Sequence, residues 1–137
     1  MILVDTNVWS ELTRAIPDPA VLVWEAANAD RLWLATVVIG ELLSGAHLLP
    51  EGKRKQAFLA NYDELIAAHA DRIVPFDLAA SLHYGPVLAA QERAGQAPGT
   101  ADTQIAAIAL AYGMLLATRN TKHFEGLGLA LIDPWTD

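Results

Sequence analysis

The sequence contains no cysteine, which sets aside disulfide frameworks, thiolate metal sites and cysteine nucleophiles together. A reducing compartment suits such a chain. Basic residues are scarce as well: nine lysines and arginines face sixteen aspartates and glutamates, for a formal charge of −7. Proteins that capture nucleic acid by broad electrostatic attraction are usually basic, so this balance speaks against such a role. No apolar run reaches the ~20 uninterrupted residues of a membrane span. The two longest are broken by Glu41 and by Gly113. The first residues carry no basic region and meet an aspartate at position 5, so no secretory signal is expected. A soluble, cytoplasmic protein is the expectation.

Common catalytic signatures are missing too. There is no G-x-G-x-x-G, no G-x-x-x-x-G-K-[ST], no G-x-S-x-G and no H-E-x-x-H. His47, His69, His83 and His123 show no ligand spacing, which disfavours zinc.

What is present reads as one globular domain spanning residues 1–137, with 53% hydrophobic residues and neither repeats nor low-complexity tracts. Ile2-Leu3-Val4 is a buried strand ending at Asp5, followed by a short helix over about Asn7–Arg14. Asp18 caps a second helix that begins at Pro19. A strand over Arg31–Ala35 leads to a helix capped by Thr36 and running to about Leu48. A further helix follows over Lys53–Ala70. Ile73–Phe76 is an edge strand because of Pro75. Asp77 caps a helix to about Ala94, which Pro86 is expected to kink or divide. Thr100–Tyr112 is helical with Gly113 as its stop; Met114–Ala117 and Leu129–Ile132 complete the strands. Strands alternating with helices predict an α/β fold with a central parallel sheet.

In such sheets, sites gather beyond the carboxyl ends of the strands. Asp5 ends the first strand, Asn120 follows the fourth, Asp102 lies in a helical first turn, and Glu41 sits in an otherwise apolar helix. Each has an ordinary explanation alone. Asp5 caps a helix, Asp102 complements a helix dipole, Glu41 lies on a polar face, and Asn120 is a turn residue. Together, several oxygen donors at one sheet end repel one another unless a cation bridges them. Mg²⁺ or Mn²⁺ is the hard, oxygen-seeking choice, and it supports phosphodiester hydrolysis. Arg119, Lys122 and His123 surround Asn120 and are candidate phosphate contacts.

Four blocks carry a further signal: Ile-Leu-Val-Asp5-Thr-Asn-Val, Val-Ile-Gly-Glu41-Leu-Leu-Ser-Gly, Ala-Asp102-Thr-Gln-Ile-Ala-Ala, and Ala-Thr118-Arg-Asn120-Thr-Lys-His-Phe. In this order they resemble the PIN-domain ribonucleases, and more narrowly the VapC-type toxins of toxin–antitoxin pairs, over essentially the whole chain. The resemblance implies a three-layer α/β/α fold and Mg²⁺- or Mn²⁺-dependent endonucleolytic cleavage of RNA. It also implies frequent homodimers and neutralisation by a small cognate antitoxin. It places metal ligands at Asp5 and Asp102 and a further catalytic acid at Glu41. Asn7, Thr118 and Asn120 would act behind them or through water. Family members often carry aspartate where this chain has Asn120, which bears on a second metal ion. A catalytically weak PIN-like binding or scaffold module, and a different Mg²⁺ phosphohydrolase, are the competing readings.

Overall fold

The structure is a computed structural model and describes residues 1–137. Five strands alternate with six helices: β1 (Ile2–Val4), α1 (Thr6–Leu12), α2 (Pro19–Asn28), β2 (Leu32–Ala35), α3 (Thr36–His47), α4 (Lys53–Ala68), β3 (Ile73–Val74), α5 (Leu78–Arg93), α6 (Thr100–Tyr112), β4 (Leu115–Ala117) and β5 (Leu131–Ile132). Two 3₁₀ turns, Ala29–Arg31 and Thr121–His123, complete the chain. The strands form one parallel sheet in the order β3-β2-β1-β4-β5, and the fold is the expected three-layer α/β/α arrangement.

β1 is the central strand, which explains its unbroken apolar sequence: Ile2, Leu3 and Val4 have no exposed surface on either face. Leu32, Leu34, Leu116, Ile105 and Ile108 extend the same core. From β1 the chain first builds outward through β2 to β3, then returns through α6 to β4 on the other side. The switch point therefore lies between β1 and β4, where an open α/β sheet leaves a crevice at the strands' carboxyl ends.

Local chemistry sets the boundaries. Asp18 caps α2 through the Ala20 amide, and Asp77 caps α5 through the Ala80 amide. Gly113 ends α6 in the left-handed conformation (φ +63°), and the Met114 amide returns to the Ala109 carbonyl.

Several expectations need correction. α1 starts at Thr6 and stops at Leu12. Arg31 belongs to a 3₁₀ turn rather than to β2. Thr36 is the first residue of α3 and not its cap, since Ala35 holds that place without a side-chain bond. β3 ends at Val74, before Pro75, whose nitrogen has no proton for the ladder. Pro86 does not divide α5, which is continuous from Leu78 to Arg93. Both Pro86 and Leu82, whose carbonyl loses its partner, are exposed, so water can satisfy the freed oxygen.

Candidate active site

Asp5 stands one residue past β1, and its backbone amide donates to the Ala117 carbonyl at the end of β4 (2.9 Å). The residue is only 4% exposed, and its side chain serves two purposes at once. Oδ1 accepts from the Thr6 amide (2.8 Å), so Asp5 does cap α1. Oδ2 turns toward β4, accepting from the Thr118 hydroxyl (2.8 Å) and, at longer range, from Asn7 Nδ2 (3.3 Å). The capping explanation and the site explanation of Asp5 thus apply to different oxygens of one carboxylate.

Behind Asp5 lies a small polar network. Thr118 is fully buried and its hydroxyl is saturated: it donates to Asp5 and accepts from Asn7 Nδ2 (3.3 Å) and the Asn120 amide (3.1 Å). Asn7 Oδ1 in turn accepts from the Arg119 amide (3.2 Å). The first turn after β1 and the loop after β4 are thereby tied together across the switch point. Asn120 joins this network through its backbone. Its side chain does not cap the following turn.

Glu41 arrives from the other side, on α3. It is exposed, and its Oε1 accepts a 2.6 Å bond from the Thr6 hydroxyl. Thr6 therefore links two acids, its amide to Asp5 and its hydroxyl to Glu41. Asp102 lies in the first turn of α6, with its side chain 28% exposed. His123 Nδ1 stands 3.5 Å from Asp102 Oδ2, an ion pair only when the imidazole is protonated. Of the candidate phosphate contacts, Arg119 lays its guanidinium over the Trp135 ring at 4.8 Å, and Lys122 is exposed with its carbonyl accepting from Gln96 Nε2.

The charges of these acids act on one another. Burial pushes the Asp5 carboxyl up to about 6, and the nearby charges of Asp102 and Glu41 push the same way. The bonds from Thr118 and Thr6 oppose this rise. The three acids thus share one electrostatic neighbourhood, although Asp102 and Asp5 are not hydrogen-bonded to each other.

A PIN-domain profile matches residues 2–128. The chain belongs to the PIN-domain family. Among its relatives, the VapC ribonuclease Y4jK of Sinorhizobium fredii is 44% identical over 98% of both chains. The plasmid stability protein StbB of Pseudomonas syringae pv. tomato is 44% identical over 98% of this chain and 99% of its own. The crystal structure of FitAcB from Neisseria gonorrhoeae superposes with a TM-score of 0.91 at 32% identity, covering 100% of each chain. Within the PIN family the chain stands close to the VapC, FitB and StbB toxins.

PIN proteins of this group use divalent metal ions. In this structure no three His, Cys, Asp or Glu side chains lie close enough to enclose an ion together. The donor chemistry nonetheless suits a hard, water-rich cation. Asp5 is held out of its ordinary ionisation range partly by two neighbouring carboxylates, a penalty that positive charge would remove. Mg²⁺ needs only one or two carboxylates because it retains much of its water.

Sequence reasoning passed over Thr6, which sits inside the Asp5-Thr6-Asn7 run with nothing to mark its tie to Glu41. It gave no role to Arg14 and read Arg54, within Lys53-Arg54-Lys55, as part of a solvated helix start. With Thr6 and Glu41 these line a cavity of about 260 Å³ between α1, α3 and α4. Only the packing of α3 against α1 and α4 brings these residues together.

Proposed function

We propose that this PIN-domain protein is a metal-dependent endoribonuclease, the toxin of a toxin–antitoxin pair, with Asp5, Glu41 and Asp102 as its catalytic acids. One observation carries the reading. The buried Asp5 carboxylate sits one residue past β1 at the sheet's switch point, with two further acid charges bearing on it. Burying an anion beside like charges is costly in a merely structural role. It is expected of a site that receives a cation and a phosphate.

Asp5 and Asp102 would hold a Mg²⁺ or Mn²⁺ ion, with Glu41 as the third acid. Such an ion supplies positive charge where a phosphodiester gains negative charge on the way to cleavage. The protein's own residues do the positioning. Thr118 and Asn7 fix Oδ2 of Asp5, and Thr6 fixes Glu41. Asn120 reaches the site from the loop after β4, and Arg119, Lys122 and His123 present the basic groups of that side to the RNA backbone.

The partner is a small antitoxin. The carboxylates of Asp5, Glu41 and Asp102 would draw an inserted arginine or lysine, which would occupy the cation's place. A homodimer in the cytoplasm completes the reading. Leu78 and Leu82, one turn apart on α5 and more than two-thirds exposed, offer apolar surface for self-association.

Purified, antitoxin-free protein should be assayed on RNA, single-stranded DNA and a chromogenic phosphodiester, each with Mg²⁺ and with EDTA. RNA cleavage that needs the metal is the expected result. Binding of RNA without cleavage would mark a binding module, and cleavage of the small diester alone would mark a different phosphohydrolase.

A further inference from the structure

The cavity between α1, α3 and α4 opens beside one of the acids, since Glu41 and its partner Thr6 form part of its wall. Its other polar groups differ in kind. In a chain of net charge −7 it gathers two of the nine basic side chains, Arg14 and Arg54. Arg14 is anchored, its Nη1 lying 3.1 and 3.2 Å from the two oxygens of the buried Glu11. That leaves the rest of its fork available. Arg54 makes no ion pair with a carboxylate; its guanidinium carbon stands 5.6 Å from the centre of the Phe58 ring. Phe58 stacks on Tyr62 at 6.0 Å and 29°. The buried Tyr62 backs Phe58, and Phe58 in turn carries the planar guanidinium of the exposed Arg54, which leaves that cation at the cavity's edge. An unpaired arginine beside a negative site wants an anion. Glu41 belongs both to the acids and to this wall, so a strand held at the acids passes the cavity's edge.

We propose that this cavity is a nucleotide subsite for the RNA strand, in which Arg54, aided by Arg14, holds a phosphate adjacent to the one cleaved at Asp5. The proposal rests on the ribonuclease reading above and adds to it the residue that sets where the strand lies. Arg54 is a positioning residue: it touches the substrate away from the reacting atoms. Because overall charge repels RNA, affinity concentrates at such points rather than spreading over the surface.

Arg54 is the residue to test, since removing Arg14 would strand the buried Glu11 charge. On an oligoribonucleotide with a single cleavage site, R54A should raise KM by about 10–100-fold with kcat little changed, as expected for losing one or two charge-assisted bonds. The log–log salt dependence of kcat/KM should become shallower by about 0.7 for each phosphate that the variant no longer neutralises. R54K should recover part of the loss through charge, though not the stacked fork. A scan of neutral methylphosphonates along the RNA should find one position near the cut whose neutralisation raises KM for wild type but adds nothing to R54A. An unchanged KM in R54A, or additive losses at every position, would overturn the subsite. So would an R54A whose only defect is weaker antitoxin binding, which would assign the cavity to a protein partner. Anisotropy of the same RNA on D5N and D5N/R54A in EDTA separates this from catalysis. If wild type cleaves no RNA while D5N binds it at least ~10-fold more tightly than D5N/R54A, the nuclease reading falls and the subsite stands. Equal binding by the two variants refutes the subsite itself.

Discussion

The hydroxyl of Thr118 donates to Oδ2 of Asp5 at 2.8 Å, joining residues 113 positions apart in sequence. This bond opposes the rise that burial imposes on the Asp5 carboxyl. Thr118 also accepts from Asn7 and the Asn120 amide, so it orients both loops that border the crevice.

Thr118→Val keeps the shape but removes the donor and the oxygen that accepts the other two bonds. Cleavage should slow by about 10–100-fold, the usual cost of losing a partner behind a metal site. The acid limb of the pH–rate profile should move to higher pH, because Asp5 loses a bond that favours its charged form. Stability should drop by about 1–3 kcal/mol as Asn7 and Asn120 lose their acceptor. Thr118→Ser should restore most of the activity and return the limb toward wild type. A variant with unshifted pH dependence would show that Thr118 acts on packing alone.

Asp5 itself should make the metal-free protein less stable as pH rises. Its carboxyl titrates at about 6 when folded against an ordinary 3.8, so the folded state holds the proton more tightly. Stability is therefore unaffected by this group below about 4 and declines as pH climbs from about 4 to about 6. The full gap corresponds to about 3 kcal/mol. Urea melts in EDTA across that range should follow this slope in wild type. Asp5→Asn should lack it, melt higher near neutral pH and cleave no RNA.

Divalent metal should reverse that instability. A ligand bound only by the folded protein adds RT ln(1 + [L]/Kd), so ~10 mM Mg²⁺ should raise the melting temperature if it exceeds Kd. The gain should vanish in Asp5→Asn and shrink in Asp102→Asn. A melt that is identical in EDTA and Mg²⁺ would count against the metal site.

Asn120 should tune the site without founding it. Its amide makes the structural bond to Thr118, which leaves the side chain free to meet water or a cation. Asn120→Ala should slow cleavage by about 10–100-fold. Asn120→Asp should remain active and reach half its maximal rate at lower Mn²⁺, because it adds a charge to the donor set. A Mn²⁺ titration of all three proteins decides the point. Loss as complete as in Asp102→Asn would make Asn120 a primary ligand, and wild-type behaviour would reduce it to a turn residue.

Much of this molecule was legible in the chain itself. Local patterns act over a few residues, so the apolar run at Ile2–Val4, the caps at Asp18 and Asp77 and the stop at Gly113 announced their elements. Alternating strands and helices announced a parallel sheet, and the rule for carboxyl ends made Asp5 and Asn120 candidates before any geometry was known. Other features depend on what stands opposite. Pro86 reads as a helix break, yet solvent at its face lets α5 continue. The division of Asp5 between a cap and the Thr118 bond, and the saturation of Thr118, arise only when β4 is laid beside β1. Thr6 reaches Glu41, and Arg14 joins Arg54 in one cavity, because α1, α3 and α4 pack together. Spacing along one element can be read from a sequence because backbone geometry fixes it. Proximity between elements is decided by burial of the shared core, and that needs the whole fold.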